Sequence, residues 1–431
     1  MYLATLLAGI SNNPVASVHE QRPRMKLFYI YSIPLLLFIA LSGNTASAAT
    51  VSGEMRQWHP LTVDFSGPSH DENDDQPNPF LDYRLTLLLT SPTGVSSQVP
   101  GFFAGDGQGG GSGNVWRVRF SPDEAGQWQY TASFRSGVAV AVETDTGAGS
   151  PMSFDGESGV FSVAERDSQA PGFLRYGALE YVGEHYLKFR DGPFWLKSGT
   201  DSPENLLAYN GFDGTQDQGG VGPTFLHSYD SHRADALPLS DPFFISPDTE
   251  RDSLGLTGAL NYLSSQGVNS VYFLPMNLGG DGQDTYPYIS PANTRSAKTH
   301  FDISKLYQWS KIFDHAQRRG IALHVVLAET ELANERWLDN GEFGLERRLY
   351  LRELVSRFGF ALAMKWNLSE ENDFPANVLR DTASYLSEID WTAKPIWFTR
   401  TLKHFKLMSK YLATSASALQ QYNTVSKMLG V

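Results

Sequence analysis

Cysteine is absent from the 431 residues. That excludes disulfide staples, thiolate metal sites, a cysteine nucleophile and a lipid-carrying cysteine, and leaves packing as the source of stability. Basic residues are also scarce: 34 Lys and Arg stand against 47 Asp and Glu, for a formal charge of −13. A polyanion such as DNA needs concentrated positive charge, so nucleic acid is excluded as a partner. No apolar run reaches the roughly 20 residues that span a bilayer. The longest, Leu27–Leu41, is interrupted by Pro34, and no stable membrane anchor is expected. No Gly-rich phosphate fingerprint opens a helix after a strand: Gly105–Gly113 is glycine-rich but reads as a flexible hairpin tip, so no nucleotide cofactor is expected.

What is present begins with an address. Arg22, Arg24 and Lys26 precede the Leu27–Leu41 run, and Ala46-Ser47-Ala48 gives a small-x-small cleavage site. This is the layout of a secretion signal, and it places the protein outside the cell or in the periplasm. Met25 fits as the start of that signal, with residues 1–24 as an upstream extension. The hydrophobic content of 41% is enough for two ordinary cores. Aromatics reach 13%, a supply of flat faces on which sugar C–H groups could stack, although large aromatics also fill cores.

Two periods divide the mature chain. Over residues 50–166 short alternating runs are separated by Gly, Pro and Asp, and strands are expected at Leu61–Phe65, Tyr83–Thr90, Val115–Phe120, Gly126–Phe134 and Gly159–Val163. This spacing predicts a β-sandwich of immunoglobulin-like type. His70–Asp75 offers oxygen ligands but lacks the spacing of a calcium loop, and no metal is expected there. From residue 172 to 393 the pattern alternates strand and helix. Strands are expected at Phe194–Gly199, Val271–Pro275, Ile321–Leu327 and Ala361–Leu368, with a fifth at Lys394–Thr399. Helices are marked by Leu256/Leu260/Leu263, by Leu306/Trp309/Phe313 ending at Gly320, by Leu351/Leu354/Phe358 ending at Gly359, and by Val378/Leu379/Leu386. An open doubly wound sheet and a (β/α) barrel both fit. Carboxylates and aromatics at the C-terminal ends of several strands favour a partial TIM barrel of four to five βα units.

The most informative string is Lys365-Trp366-Asn367-Leu368-Ser369-Glu370-Glu371-Asn372, at the end of the fourth expected strand. Glycoside hydrolysis uses two carboxylates, one of them protonated to serve the leaving oxygen, and adjacent glutamates raise one another's pKa. The string resembles the Trp-x-x-x-Asn-Glu-Pro pattern of the large clan of retaining glycoside hydrolases with (β/α)8 barrels. The resemblance implies that Glu371 is the general acid/base; Glu370 stands where the clan usually has Asn and competes for the role, and Asn372 stands where Pro is frequent.

A second resemblance covers most of the chain. Asn78-Pro79-Phe80, Pro100-Gly101-Phe102, Pro193-Phe194-Trp195-Leu196-Lys197, Thr200-Asp201-Ser202-Pro203-Glu204-Asn205 and His300-Phe301-Asp302-Ile303-Ser304-Lys305-Leu306 are similar to bacterial candidate glycoside hydrolases with an N-terminal module of unassigned function. It implies a pocket with Asp201, Glu329, Trp366 and Asn367 around it, and Trp195 and His300 as further sugar contacts. Each has a structural alternative: Asp201 as a helix cap, Glu329 as a solvated acid, the tryptophans as core, His300 as a satisfied loop histidine.

This clan places its second catalytic carboxylate on the seventh strand, and the residues after Asp390 are too few for four more βα units of a fold of roughly 250 residues. The Lys-, Ser- and Ala-rich segment 394–431 reads as an aberrant or truncated tail. The expectation is therefore an exported protein related to polysaccharide hydrolases, impaired as written. The alternative is a carbohydrate-binding protein without turnover. In either case the partner is an oligo- or polysaccharide, and no cofactor is required.

Overall fold

The computed structural model describes residues 49–219, 226–237, 241–279 and 283–398. The expected secretion signal and the tail beyond Phe398 lie outside the described residues. No helix among the described residues is long and apolar enough to cross a membrane.

The first half is antiparallel. Its strands are β1 (Thr50–Gly53), β2 (Leu61–Asp71), β3 (Tyr83–Thr90), β4 (Ser96–Pro100), β5 (Phe102–Phe103), β6 (Ser112–Phe120), β7 (Gly126–Ser136), β8 (Ser150–Pro151) and β9 (Ser158–Val163). One sheet runs β1-β2-β6-β5; the other runs β4-β3-β7-β8, with β9 also on β7. Strict alternation explains the packing. Leu61, Val63 and Phe65 on β2, with Trp116, Val118 and Phe120 on β6, point inward, and meet Leu85, Leu87 and Leu89 of β3 and Trp128, Tyr130 and Phe134 of β7 in one buried core. Phe154 closes it, stacked on Phe134 at 4.1 Å and on Phe65 at 4.6 Å. The two sheets are therefore the layers of a sandwich. The same alternation turns Asp64, Arg117 and Arg119 outward on the β2–β6 sheet, where Arg117 pairs with Asp64 at 2.7 Å.

After a short hairpin, β10 (Leu179–Glu180) and β11 (Lys188–Phe189), the chain changes period. Helices α1 (Leu254–Ser265), α2 (Ile303–Arg319), α3 (Leu332–Glu335), α4 (Leu345–Phe358) and α5 (Ala376–Ile389) alternate with parallel strands β12 (Ser270–Phe273), β13 (Ala322–Val326), β14 (Met364–Asn367) and β15 (Ile396–Trp397). Local chemistry sets the ends of α2. The Asp302 carboxylate accepts from the Lys305 N–H at 2.9 Å, and Gly320 takes a left-handed φ of 72° that stops the helix. The parallel sheet has the order β12-β13-β14-β15. Its described residues form an open four-stranded sheet, and no closed barrel is seen among them.

One expected strand is corrected. Phe194–Gly199 is not a regular strand: Phe194 makes one isolated bridge to Lys188, and Phe194 and Leu196 are exposed. The segment still follows the edge of β12. The Ser198 N–H donates to the Asn269 side chain, Asn269 N–H to Ser198 O, and Leu274 N–H to Glu204 O. With a side chain replacing one rung, and Gly199 at φ 123°, the ladder loses its regular register.

The sandwich docks on the helices through buried polar contacts. Arg352 donates to Leu85 O at 2.7 Å, Arg357 to Phe103 O at 2.9 Å, and Ser121 to Phe360 O at 2.8 Å. The carboxylate of Glu72, in the acidic loop after β2, accepts from the first backbone N–H of α2 at 2.8 Å.

Candidate functional site

The parallel sheet has two faces of different chemistry. Val271, Phe273, Leu323, Val325, Met364 and Trp366 belong to the large core shared with the helices. By alternation the residues between them face the other way, and register brings Tyr272, His324 and Lys365 into one lateral row across β12, β13 and β14. The Tyr272 and His324 rings meet edge to face at 4.6 Å. Asn367 lies one step further toward the C-terminal end of β14, and Glu370 follows it.

Charge on this face is unevenly solvated. Burial, reinforced by Lys365 and Lys197, pushes His324 well below the ordinary imidazole range, and both of its ring nitrogens are buried without a hydrogen-bond partner among the described residues. Lys365 is pushed down to about 8, by burial first and then by Lys197, with Asp201 opposing. Its ammonium sits 5.0 Å from the Trp195 ring centre and 5.7 Å from that of Trp397, so two indole faces take the place of a carboxylate partner. Lys197 is ion-paired with the exposed Asp201.

The glutamate pair is split by its surroundings. Glu370 is partly buried, its N–H donates to Ala328 O at 2.9 Å, and burial raises its pKa, with Glu371, Asp201 and Glu331 adding to the rise. The Tyr272 hydroxyl is buried and outside hydrogen-bond geometry, yet near enough to Glu370 that each alters the other's ionisation. Glu371 is exposed, with a left-handed φ of 48°. The two adjacent carboxylates thus sit in different surroundings, one partly buried and one exposed.

The remaining sequence candidates fall in several places. Trp195 is buried under Lys365, beside this face. Asn367 is fully buried in β14, and its side chain accepts from the Ser369 N–H at 3.3 Å. Glu329, just past β13, is buried and accepts from Asn334 Nδ2 at 3.3 Å. Trp366 is turned to the helix side, where its indole donates to Asp390 at 2.7 Å. His300 is not brought to the others. It is buried where the sandwich meets α2, with Nδ1 donating to Ser296 O at 2.7 Å and Nε2 at 3.1 Å from Asp74 O, so its surroundings are structural. Tyr272, His324 and Lys365 were not among the sequence candidates. Their signal was a polar residue at the centre of an apolar parallel strand.

Comparison with known proteins gives a partial match. The family described as Domain of unknown function (DUF5060) matches residues 54–135, within the sandwich. No curated protein is significantly similar to the chain. A candidate glycoside hydrolase from Bacteroides vulgatus is 16% identical, with 82% of this chain and 57% of that one covered and a TM-score of 0.51. A glycoside hydrolase of family 5 from the same organism is 15% identical over 54% of this chain and 41% of that one, TM-score 0.32. A β-glucuronidase from Ruminococcus gnavus is 11% identical over 81% and 41%, TM-score 0.26. The chain therefore spans 57% of the length of the first of these structures, and the likeness to it is one of fold: a β-sandwich followed by a glycosidase-like α/β domain.

Proposed function

We propose that the sheet face bearing Tyr272, Lys365 and Glu370 binds a saccharide, and that its chemistry is glycoside hydrolysis with Glu370 as the general acid. The observation that carries this reading is the contrast within the pair: Glu370 is partly buried with a raised pKa, while Glu371 is exposed. A carboxyl whose pKa is raised keeps its proton to higher pH than an ordinary one and can donate it to a leaving glycosidic oxygen. The clan resemblance points to Glu371, one residue on; the environment favours its neighbour. Of the acids that influence Glu370, Glu371 and Glu331 come from the same end of the sheet, and one of them would be the second carboxylate. Retaining stereochemistry, export and a polysaccharide as substrate belong to this proposal.

Binding without turnover is favoured by one observation. Asp201, the acid on the loop beside β12, is exposed and already engaged by Lys197, as suits a contact to a sugar hydroxyl. The deciding experiment assays the full chain for reducing-end release from a panel of neutral and acidic polysaccharides, alongside Glu370→Gln and Glu371→Gln. Turnover abolished by Glu370→Gln supports hydrolysis; saccharide binding with no release from any substrate leaves the binding reading alone.

A further inference from the structure

A second polar cavity lies away from this face, between the outer side of the β1-β2-β6-β5 sheet and α2. It measures about 240 Å³ and is walled by Arg117 and Arg119 of β6 and by Tyr307, Lys311 and Asp314 of α2. The glycine-rich loop after β5 roofs it. A Cβ on Gly109 would come within 3.1 Å of the Tyr307 ring and one on Gly107 within 3.1 Å of Arg117, and both residues have positive φ. Glycine at these positions is what lets the loop close over the cavity.

The groups lining it are unequally satisfied. Arg117 is held by Asp64 and by Gly107 O. Arg119 is not: its guanidinium lies 3.8 Å from the centre of the Phe360 ring and makes no hydrogen bond or ion pair within the described protein. Lys311 stands 4.7 Å from the Tyr307 ring centre and has no carboxylate partner among the described residues. Also lining the cavity, Asp314 spends one oxygen on Arg318 at 3.0 Å, while Oδ1 is buried with no hydrogen-bond partner among the described residues. In a chain of net charge −13, a cavity lined by two cations that no carboxylate among the described residues contacts directly is a local reversal of sign. A stacked arginine with its edge donors unused fits a planar carboxylate, and a buried unpaired carboxylate oxygen fits a hydroxyl donor. Arg119 and Asp314 do not satisfy each other, so a ligand carrying both groups would.

We propose that this cavity binds a hydroxylated carboxylate of the size of one uronic acid residue, its carboxylate on Arg119 and Lys311 and a ring hydroxyl on Asp314. The saccharide nature of the ligand rests on the function proposed above; the need for a carboxylate and a hydroxyl together does not. The site then makes the sandwich a second contact point for an acidic chain.

Calorimetric titration of the full chain tests this with three probes: D-glucuronate, D-glucose and acetate. Glucuronate should bind about tenfold tighter than either of the others, because only it engages both walls. Arg119→Gln should weaken it about tenfold. Equal binding of acetate and glucuronate, or glucuronate affinity untouched by Arg119→Gln, overturns the proposal. Should Arg119→Gln fail to fold, Lys311→Gln decides, and unchanged affinity there overturns it equally. Glucuronate binding that depends on Glu370 instead would support the proposed function and sink this site. Arg119-dependent binding in a chain that cleaves no saccharide would do the reverse.

Discussion

The Trp366 indole donates to Asp390 Oδ2 at 2.7 Å, and the same carboxylate takes Lys394 Nζ at 3.2 Å on its other oxygen. All three groups are buried, and Lys394 also reaches Gly359 O at 2.6 Å. The tryptophan that heads the glutamate string is therefore a tie between β14 and the end of α5. Trp366→Phe keeps most of the packing but leaves a buried acceptor short of a donor, at a cost of about 1–3 kcal/mol. Chemical denaturation should register that loss, with saccharide affinity unchanged. An affinity loss at unchanged stability would place Trp366 on the sugar instead.

Glu370 and Glu371 are separable by substitution. Glu370→Gln removes the proton donor and should cut any turnover by about 10²-fold or more, at little cost in stability. Glu371 sits at a left-handed φ, where an L-residue other than Asn, Asp or Gly is strained by roughly 1 kcal/mol. Glu371→Gly should therefore raise the unfolding midpoint slightly, and turnover kept within a few-fold in this variant would leave Glu331 as the second carboxylate. The acid's raised pKa also fixes the sign of the pH profile: activity falls as pH rises through it, because the donor form is lost. A basic limb that persists in Glu370→Gln would assign that titration elsewhere.

The docking of sandwich on helices rests partly on charge. Arg357 pairs with Glu353 at 2.8 Å, both almost wholly buried, and extends to Phe103 O of β5. Arg357→Met strands Glu353 in the core and should cost about 3–5 kcal/mol, while adding Glu353→Leu should restore much of the loss. Urea titration of the two variants reads this directly. A double variant as unstable as the single one would mean that the bond to Phe103 O, not the stranded charge, dominates.

Legibility in the sequence followed periodicity. Short alternating runs at Leu61–Phe65 and Val115–Phe120 marked β2 and β6 as strands of a sandwich. Helix α2 could be read from its apolar stripe to Gly320. Phe194–Gly199 misled because an apolar run implies burial only when something covers it, and here Phe194 and Leu196 remain exposed. The row of Tyr272, His324 and Lys365 was invisible for another reason. Each stands alone in an apolar strand, and only the parallel register joins them. His300 was read through its motif, yet the motif's role is to seat the sandwich: Asn78 donates to Thr299 O at 3.2 Å beside it.

Glu72 supplies a pH test of the same seam. Its carboxylate is pushed up to about 7 from an ordinary 4.5, mainly by burial, with Asp302 and Asp71 adding to the rise and Ile303 N–H and Arg357 opposing it. Between those two values the folded chain holds a proton that the unfolded chain releases, so raising the pH favours unfolding. The contribution is fully present below about pH 4.5 and is lost as pH passes about 7. Allowing for the partial exposure of the group, the loss is of order 1–2 kcal/mol. Glu72→Gln keeps a side-chain oxygen to accept from Ile303 but cannot ionise, so its stability should vary less over this window than that of the parent chain. Denaturant midpoints measured at several pH values across the window, for both proteins, give the comparison. Parallel curves would show that Glu72 stays solvated enough to ionise normally, and that the acidic loop does not seal the N-terminus of α2.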